Sequence, residues 1–174
     1  MMTSKIKHFP GTSLSEEDFG DGKVLFVHDE MHPRFAWDTG IGIGSYLAAL
    51  KEGYLLGGYC RTCRKTVIPP RTVCEWCFRP MDSYVRLQDT GTVNTFSLCY
   101  ITWDMQRVKE PEIPAVIEID GASPLKGILH RLGEVKPKDV HVGMKVQAVW
   151  KPAEERQGAI TDIMYFKPIK EARS

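Results

Sequence analysis

The sequence predicts a mainly β fold in two parts, a small cysteine-rich ribbon followed by a closed five-stranded barrel, with an N-terminal arm and short helix in front. Three observations carry this. Cys60, Cys63, Cys74 and Cys77 are spaced C-x2-C, ten residues, C-x2-C. Residues 83–166 hold short alternating apolar runs separated by turns, with one short helical turn among them. At 174 residues the chain has room for one modest core and a module too small to bury its own.

The first segment, residues 1–53, opens polar and irregular. A capping-box-like pair, Ser13 and Glu16, precedes a short strand expected over residues 24–27. Phe35 and Trp37 form an aromatic patch, and a helix is expected from about Ser45 to Glu52, with Tyr46, Leu47 and Leu50 on one face and Gly53 as its stop. The apolar residues before this helix are too few and too scattered for a core of their own, so this part reads as an arm. The run DTGIGIGS has the spacing G-x-G-x-G, which matches neither a dinucleotide fingerprint nor a Walker loop. It reads as a flexible lead-in to the helix and not as a phosphate cradle.

The second segment, residues 54–82, contains YCRTCRKTVIPPRTVCEWCFRP. Each C-x2-C pair places two thiolates on one tight knuckle, and two facing knuckles supply the tetrahedral four-sulfur set that zinc prefers in closed sites. Four protein ligands leave no position for water or substrate, so the metal is expected to hold the fold and not to perform chemistry. The same sulfur set suits iron in a rubredoxin-like site. A pair of disulfides is the competing reading. It is disfavoured because the N-terminal MMTSKIKHFPGTS has no apolar stretch after its lysines to mark a secreted chain. Within residues 59–80, Arg61, Arg64, Lys65, Arg71 and Arg79 face a single acid, Glu75. Part of that basic charge balances a tetrathiolate centre, and Pro69-Pro70 holds Arg71 on a stiff extended turn between the knuckles.

The third segment, residues 83–168, reads as all β, with 169–174 as a tail. Strands are expected over residues 92–101, 115–119, 125–132, 144–150 and 159–165. The turn DGASP joins the second to the third, a Pro137-led turn follows, and a polar loop over 152–158 joins the last two. About five strands of this kind suggest a small closed barrel, for which the OB fold is the natural candidate.

The order of these features resembles a known family. The helix-to-strand step LKEGYLLGGYC, the two knuckles with IPPR between them, and a barrel carrying TGTVNTFS and VGMKV are similar to the zinc-ribbon plus OB-fold family called domain of unknown function 35. The resemblance covers residues 45–166. It implies a small non-catalytic subunit that accompanies thiolase-type or hydroxymethylglutaryl-CoA synthase-type enzymes and associates with acyl-CoA, in some members during degradation of aromatic compounds. The stretch before Gly40 is longer than the family's usual helical lead-in.

The remaining residues agree with a non-catalytic role. Cys99 is the one cysteine outside the ribbon set. It lies in an apolar strand with no neighbouring base to lower its pKa, and reads as a core thiol. The histidines, His8, His28, His32, His130 and His141, form no metal spacing or dyad with it. His130-Arg131 ends a barrel strand that could lie on the ligand face of an OB barrel, although strand-edge surface is the plainer reading. No independent catalytic activity is expected; the chain would be a subunit of an acyl-CoA C-acyltransferase (thiolase) complex. Coenzyme A carries phosphates that call for Arg or Lys and an arm that suits an apolar groove. Arg64, Lys65 and Arg71, with the Tyr46–Leu50 face of the helix, are the candidate contacts.

The competing function is a single-stranded nucleic-acid-binding module, with Phe96, Tyr100 and Trp103 as stacking aromatics. Residues 84–174 hold thirteen Lys and Arg against twelve Asp and Glu, which is no electrostatic footprint for a strand binder. A formal net charge of +1 gives no overall field towards nucleic acid or anionic lipid, the apolar runs are too short to span a membrane, and an N-terminus that does not read as a signal peptide points to a cytoplasmic chain.

Overall fold

The computed structural model describes residues 15–24, 27, 30, 32, 34–102 and 104–169. The chain divides into two compact units, residues 1–37 and 38–174. Ser13, His8, His28, Trp103 and half of the strand expected over 24–27, residues 25 and 26, lie outside the described residues.

In the first unit, α1 (Glu16–Gly20) starts at Ser15, whose backbone N–H donates to the Asp18 carboxylate at 2.9 Å. The rings of Phe35 and Trp37 lie 6.3 Å apart, centroid to centroid.

The second unit begins with α2 (Gly40–Glu52), one turn and more longer than the sequence predicts. The glycines are inside the helix and not a lead-in to it. Gly42 explains the difference: a Cβ there would sit 3.1 Å from the Pro70 carbonyl oxygen, so a hydrogen at this position lets the helix approach the ribbon backbone. At the other end Gly53 takes φ +85°, and the Tyr54 N–H returns to the Ala49 carbonyl in a Schellman turn.

The chain then forms β1 (Leu55–Cys60), β2 (Lys65–Val67) and β3 (Ser83–Leu87), a three-stranded antiparallel sheet with β1 in the centre. Next come β4 (Thr90–Phe96), a two-stranded hairpin of β5 (Cys99–Ile101) and β6 (Arg107–Glu112), and then β7 (Pro114–Ile119), β8 (Gly127–Arg131), β9 (Lys145–Trp150) and β10 (Ile163–Pro168). The barrel sheet has the order β10-β9-β4-β7-β8 and closes through one parallel bridge, Leu132 to Phe166. This is the mainly β ribbon-plus-OB architecture that the sequence predicts.

Three expectations are corrected. The single strand expected over 92–101 is broken after Phe96, and the hairpin of β5 and β6 grows from the break. Cys99 sits on that hairpin, half-buried and outside the core cluster, with its Sγ 3.9 Å from the Ser97 hydroxyl. The last strand also starts later than expected, because residues 160–162 form a 3-10 turn.

One hydrophobic cluster serves the whole unit. Tyr46 and Leu50 from α2, Leu55, Ile68 and Leu87 from the ribbon, and Val93, Ile117, Val146 and Phe166 from the barrel all belong to it. Each fully buried side chain of this size contributes about 1.5–3 kcal/mol. No helix is long and apolar enough to cross a membrane among the described residues.

Candidate metal centre

Cys60 ends β1, and Cys63 lies in the turn to β2. Cys74 and Cys77 occupy a second turn, closed by hydrogen bonds from the Cys74 N–H to the Arg79 carbonyl (2.8 Å) and from the Phe78 N–H to the Cys74 carbonyl (2.9 Å). In each knuckle the residue after the second cysteine takes a left-handed conformation, Arg64 at φ +53° and Phe78 at φ +56°. This turns the chain back so that both sulfurs of a pair point the same way.

The four Sγ atoms lie within 4.8 Å of one another, with Cys60 to Cys77 at 3.6 Å and Cys63 to Cys74 at 3.8 Å. A disulfide needs about 2.05 Å. A tetrahedron with metal–sulfur bonds of about 2.3 Å has edges of about 3.8 Å. The sulfurs therefore stand at metal-ligand spacing, and the four cysteines are positioned to hold a metal ion.

The surroundings fit that role. Cys60 and Cys74 are fully buried. The Cys63 N–H donates to the Cys60 sulfur, and the Trp76 and Cys77 N–H groups donate to the Cys74 sulfur. Burial and the neighbouring sulfurs push the Cys63 thiol up to about 12. At Cys74 burial acts in the same direction, but the two backbone donors and the adjacent thiols bring it down to about 7. A cation among the four would favour thiolate at every position.

Around this centre the basic residues have different roles. Arg71 pairs with Glu75 at 3.0 Å, and the other oxygen of Glu75 takes Lys126 from the β7–β8 turn. Lys126 also lies over the Trp76 ring, 4.8 Å from its centroid. This clasp fastens the second knuckle to the barrel. No sequence signal reveals it, because Lys126 is 51 residues from Glu75. Arg64 and Lys65 make no salt bridge among the described residues. The Tyr46–Leu50 helix face is not free to receive an acyl-carrier arm, because Tyr46 and Leu50 are 4% and 0% exposed and belong to the core.

The second knuckle also presents apolar groups outward. Trp76 and Val73 are each 44% exposed, and Phe78 is 80% exposed.

Two family models match the chain: the rubredoxin-like zinc ribbon domain of ChsH2 over residues 47–82, and the C-terminal OB-fold domain of ChsH2 over residues 84–151. The chain is 31% identical over 125 residues to a DUF35 domain-containing scaffold protein of Methanocaldococcus jannaschii, an alignment that covers 70% of this chain and 86% of the relative. Among solved structures it is similar to a DUF35 protein of unknown function from Sulfolobus solfataricus, with TM-score 0.60 and 21% identity over 75% of this chain and 87% of the other. It is also similar to a chain of the Ltp2-ChsH2(DUF35) aldolase, with TM-score 0.56 and 20% identity over 78% and 98%. At these identities the two structures speak to the fold alone.

Proposed function

Because the chain belongs to the DUF35 family, we propose that it is a non-catalytic accessory subunit, holding zinc in its ribbon and docking onto a thiolase-like or hydroxymethylglutaryl-CoA synthase-like enzyme to assist acyl-CoA binding or transfer. Phe78 is the observation that carries the docking reading. A left-handed backbone costs a side-chain-bearing residue about 1–2 kcal/mol, and glycine would avoid that cost. Here a benzyl group occupies the position and remains 80% exposed, so it gains almost no burial within this chain. Trp76 and Val73 beside it extend the apolar surface, and an aromatic anchor with such neighbours is the kind of feature that fills a pocket on a partner.

Zinc is the metal proposed, since four thiolates at tetrahedral spacing form the closed site it prefers, and its role here is to hold the two knuckles together. Arg64 and Lys65 are proposed to meet the phosphates of coenzyme A at the edge of the docked enzyme, with Arg71 contributing while it retains Glu75. The carbon–carbon chemistry would reside in the partner.

The test is a tagged pull-down from the native host at moderate salt, with mass spectrometry of co-purifying proteins, metal analysis and the 260/280 nm absorbance ratio. The expected result is a stoichiometric thiolase-type or synthase-type subunit, bound zinc and little nucleic acid. Phe78→Gly should weaken capture of that subunit about tenfold or more while leaving the isolated chain as stable or up to about 1 kcal/mol more stable. Abundant nucleic acid with no enzyme partner would overturn the reading in favour of a strand-binding module. Undiminished capture by the variant would remove Phe78 from the interface.

A further inference from the structure

The barrel is incompletely zipped along the seam between β8 and β10. β8 is the last strand of its sheet, and only the Leu132–Phe166 bridge joins it to β10. Before that bridge, side chains span the gap. The Arg131 Nε donates to the Met164 carbonyl at 2.8 Å, and the His130 Nε2 lies 3.4 Å from the Ile160 carbonyl. A cleft of about 600 Å³ opens over this seam, lined by Leu129, Arg131, Lys151, Ile160 and Met164 among others. We propose that this cleft binds a small organic anion with an apolar body, its carboxylate or phosphate head held by Arg131 and Lys151 and its body lying on Leu129, Ile160 and Met164.

The apolar half of the argument is exposure. Leu129 is 68% exposed, Ile160 40% and Met164 38%, and the three line the same cleft. Scattered exposed apolar residues need no explanation, whereas several converging on one concave surface mark a binding site.

The polar half is cationic charge that no salt bridge takes up, although the Lys151 ammonium also acts at longer range on the buried Asp162 carboxylate. Arg131 commits its Nε to Met164, which fixes the guanidinium, and neither Arg131 nor Lys151 makes a salt bridge among the described residues. The acid at the cleft, Glu112, is paired with neither. A fixed guanidinium with open terminal N–H groups matches an oxyanion head in bidentate fashion, and a nearby ammonium adds charge. His130 contributes shape and not charge. Burial holds its imidazole below the ordinary value, leaving the ring neutral near pH 7.

The position suits a ligand. β8 is the third barrel strand and Lys151 and Ile160 belong to the connection between the fourth and fifth, the elements with which OB barrels grip their ligands. The lining offers no Phe, Tyr or Trp on which bases could stack, which argues against an oligonucleotide. An added peptide strand would have to displace His130 and Arg131 from the seam, whereas a small anion moves neither.

The test is an NMR titration of the full chain, labelled at methyl groups, with octanoate, octyl phosphate, octanol, inorganic phosphate and an oligothymidylate. At least one octyl anion should saturably shift the Leu129, Ile160 and Met164 methyl signals, with affinity about tenfold or more above those of octanol and inorganic phosphate. The tighter of the two octyl anions identifies the head group. Lys151→Gln and Arg131→Gln should each weaken binding about fivefold or more. Because Arg131→Gln also removes a seam contact, Leu129→Ser, at an exposed position, provides an independent loss of affinity. Absence of a saturable shift with either octyl anion, equal binding of octanol, or shifts caused by the oligothymidylate alone would each overturn the proposal.

Discussion

Replacing Asp162 with asparagine tests how the connection between β9 and β10 is held beneath the ribbon's lead-in helix. Asp162 is the one charged side chain that is fully buried among the described residues. Its carboxylate accepts the N–H groups of Gln157 (3.0 Å), Gly158 (2.7 Å) and Ala159 (3.0 Å), and so folds residues 157–159 around itself. The same loop carries Arg156, whose guanidinium lies against Gly53 at the carbonyl end of α2 while its Nε donates to the Lys151 carbonyl at 2.8 Å. A cation is favoured there by the helix dipole. Hydrogen bonds to a charged acceptor contribute about 1.5–3 kcal/mol and to a neutral one about 0.5–1.5. Asparagine keeps the shape and loses the charge across three donors, a difference of about 3–4.5 kcal/mol, part of which is returned because a neutral amide escapes the carboxylate's burial penalty, so the expected cost is about 2–3 kcal/mol. For a protein of this size that corresponds to a fall in Tm of about 5–10 °C.

The pH dependence gives a second check. Burial pushes the Asp162 carboxyl up, but the three N–H donors and the Lys151 charge outweigh it and hold the group below its ordinary value. A carboxylate depressed in the folded state adds stability that is fully present above the unfolded value, about 3.9, and lost as pH falls through the folded one. Asparagine does not titrate. In urea unfolding between pH 7 and pH 3, the gap between the two proteins should narrow towards acid. Acid release of a metal held by the four cysteines would be common to both and cancel in the difference. A variant within about 0.5 kcal/mol of the parent at pH 7, or a gap that is flat across that range, would refute the reasoning.

Cys60→Ser should abolish stoichiometric metal binding in elemental analysis and lower solubility and partner capture together, because the ribbon unfolds without its ion; a folded complex altered only in turnover would contradict the structural role. Gly127→Ala should cost about 2–4 kcal/mol in chemical denaturation, since a Cβ would fall 2.0 Å from the Ile117 carbonyl oxygen across the β7–β8 ladder. Wild-type stability in that variant would show that the two strands are farther apart than described.

What could be read from the sequence was local. The cysteine knuckles are visible because each pair is three residues apart, and β7 because Ala115, Ile117 and Ile119 alternate and are all buried. The hairpin of β5 and β6 was not visible. Residues 92–101 alternate straight through the break at Phe96, and β6, RVKEPE, contains a proline and one aliphatic residue. That pattern does not announce a strand. The glycines of α2 misled for the opposite reason. Low helix propensity argued against Gly40–Gly44 as helix, and the compensation, the close approach of Gly42 to Pro70, lies in a contact across 28 residues. Among the candidate coenzyme contacts, only a three-dimensional view separates Arg71, already engaged by Glu75, from Arg64 and Lys65.

The shared cluster has a consequence for modularity. Family models divide the chain at residues 82 and 84, as though ribbon and barrel were interchangeable parts. Leu55, Ile68 and Leu87 sit in the same apolar interior as Val93 and Ile117, and β3 belongs to the ribbon sheet although it lies on the barrel side of that division. A ribbon transplanted from a relative would bring its own versions of these contacts into a barrel shaped for others. Recombination in this lineage is therefore constrained to exchange the two together, or to exchange the loops and knuckle surface that the interior does not touch.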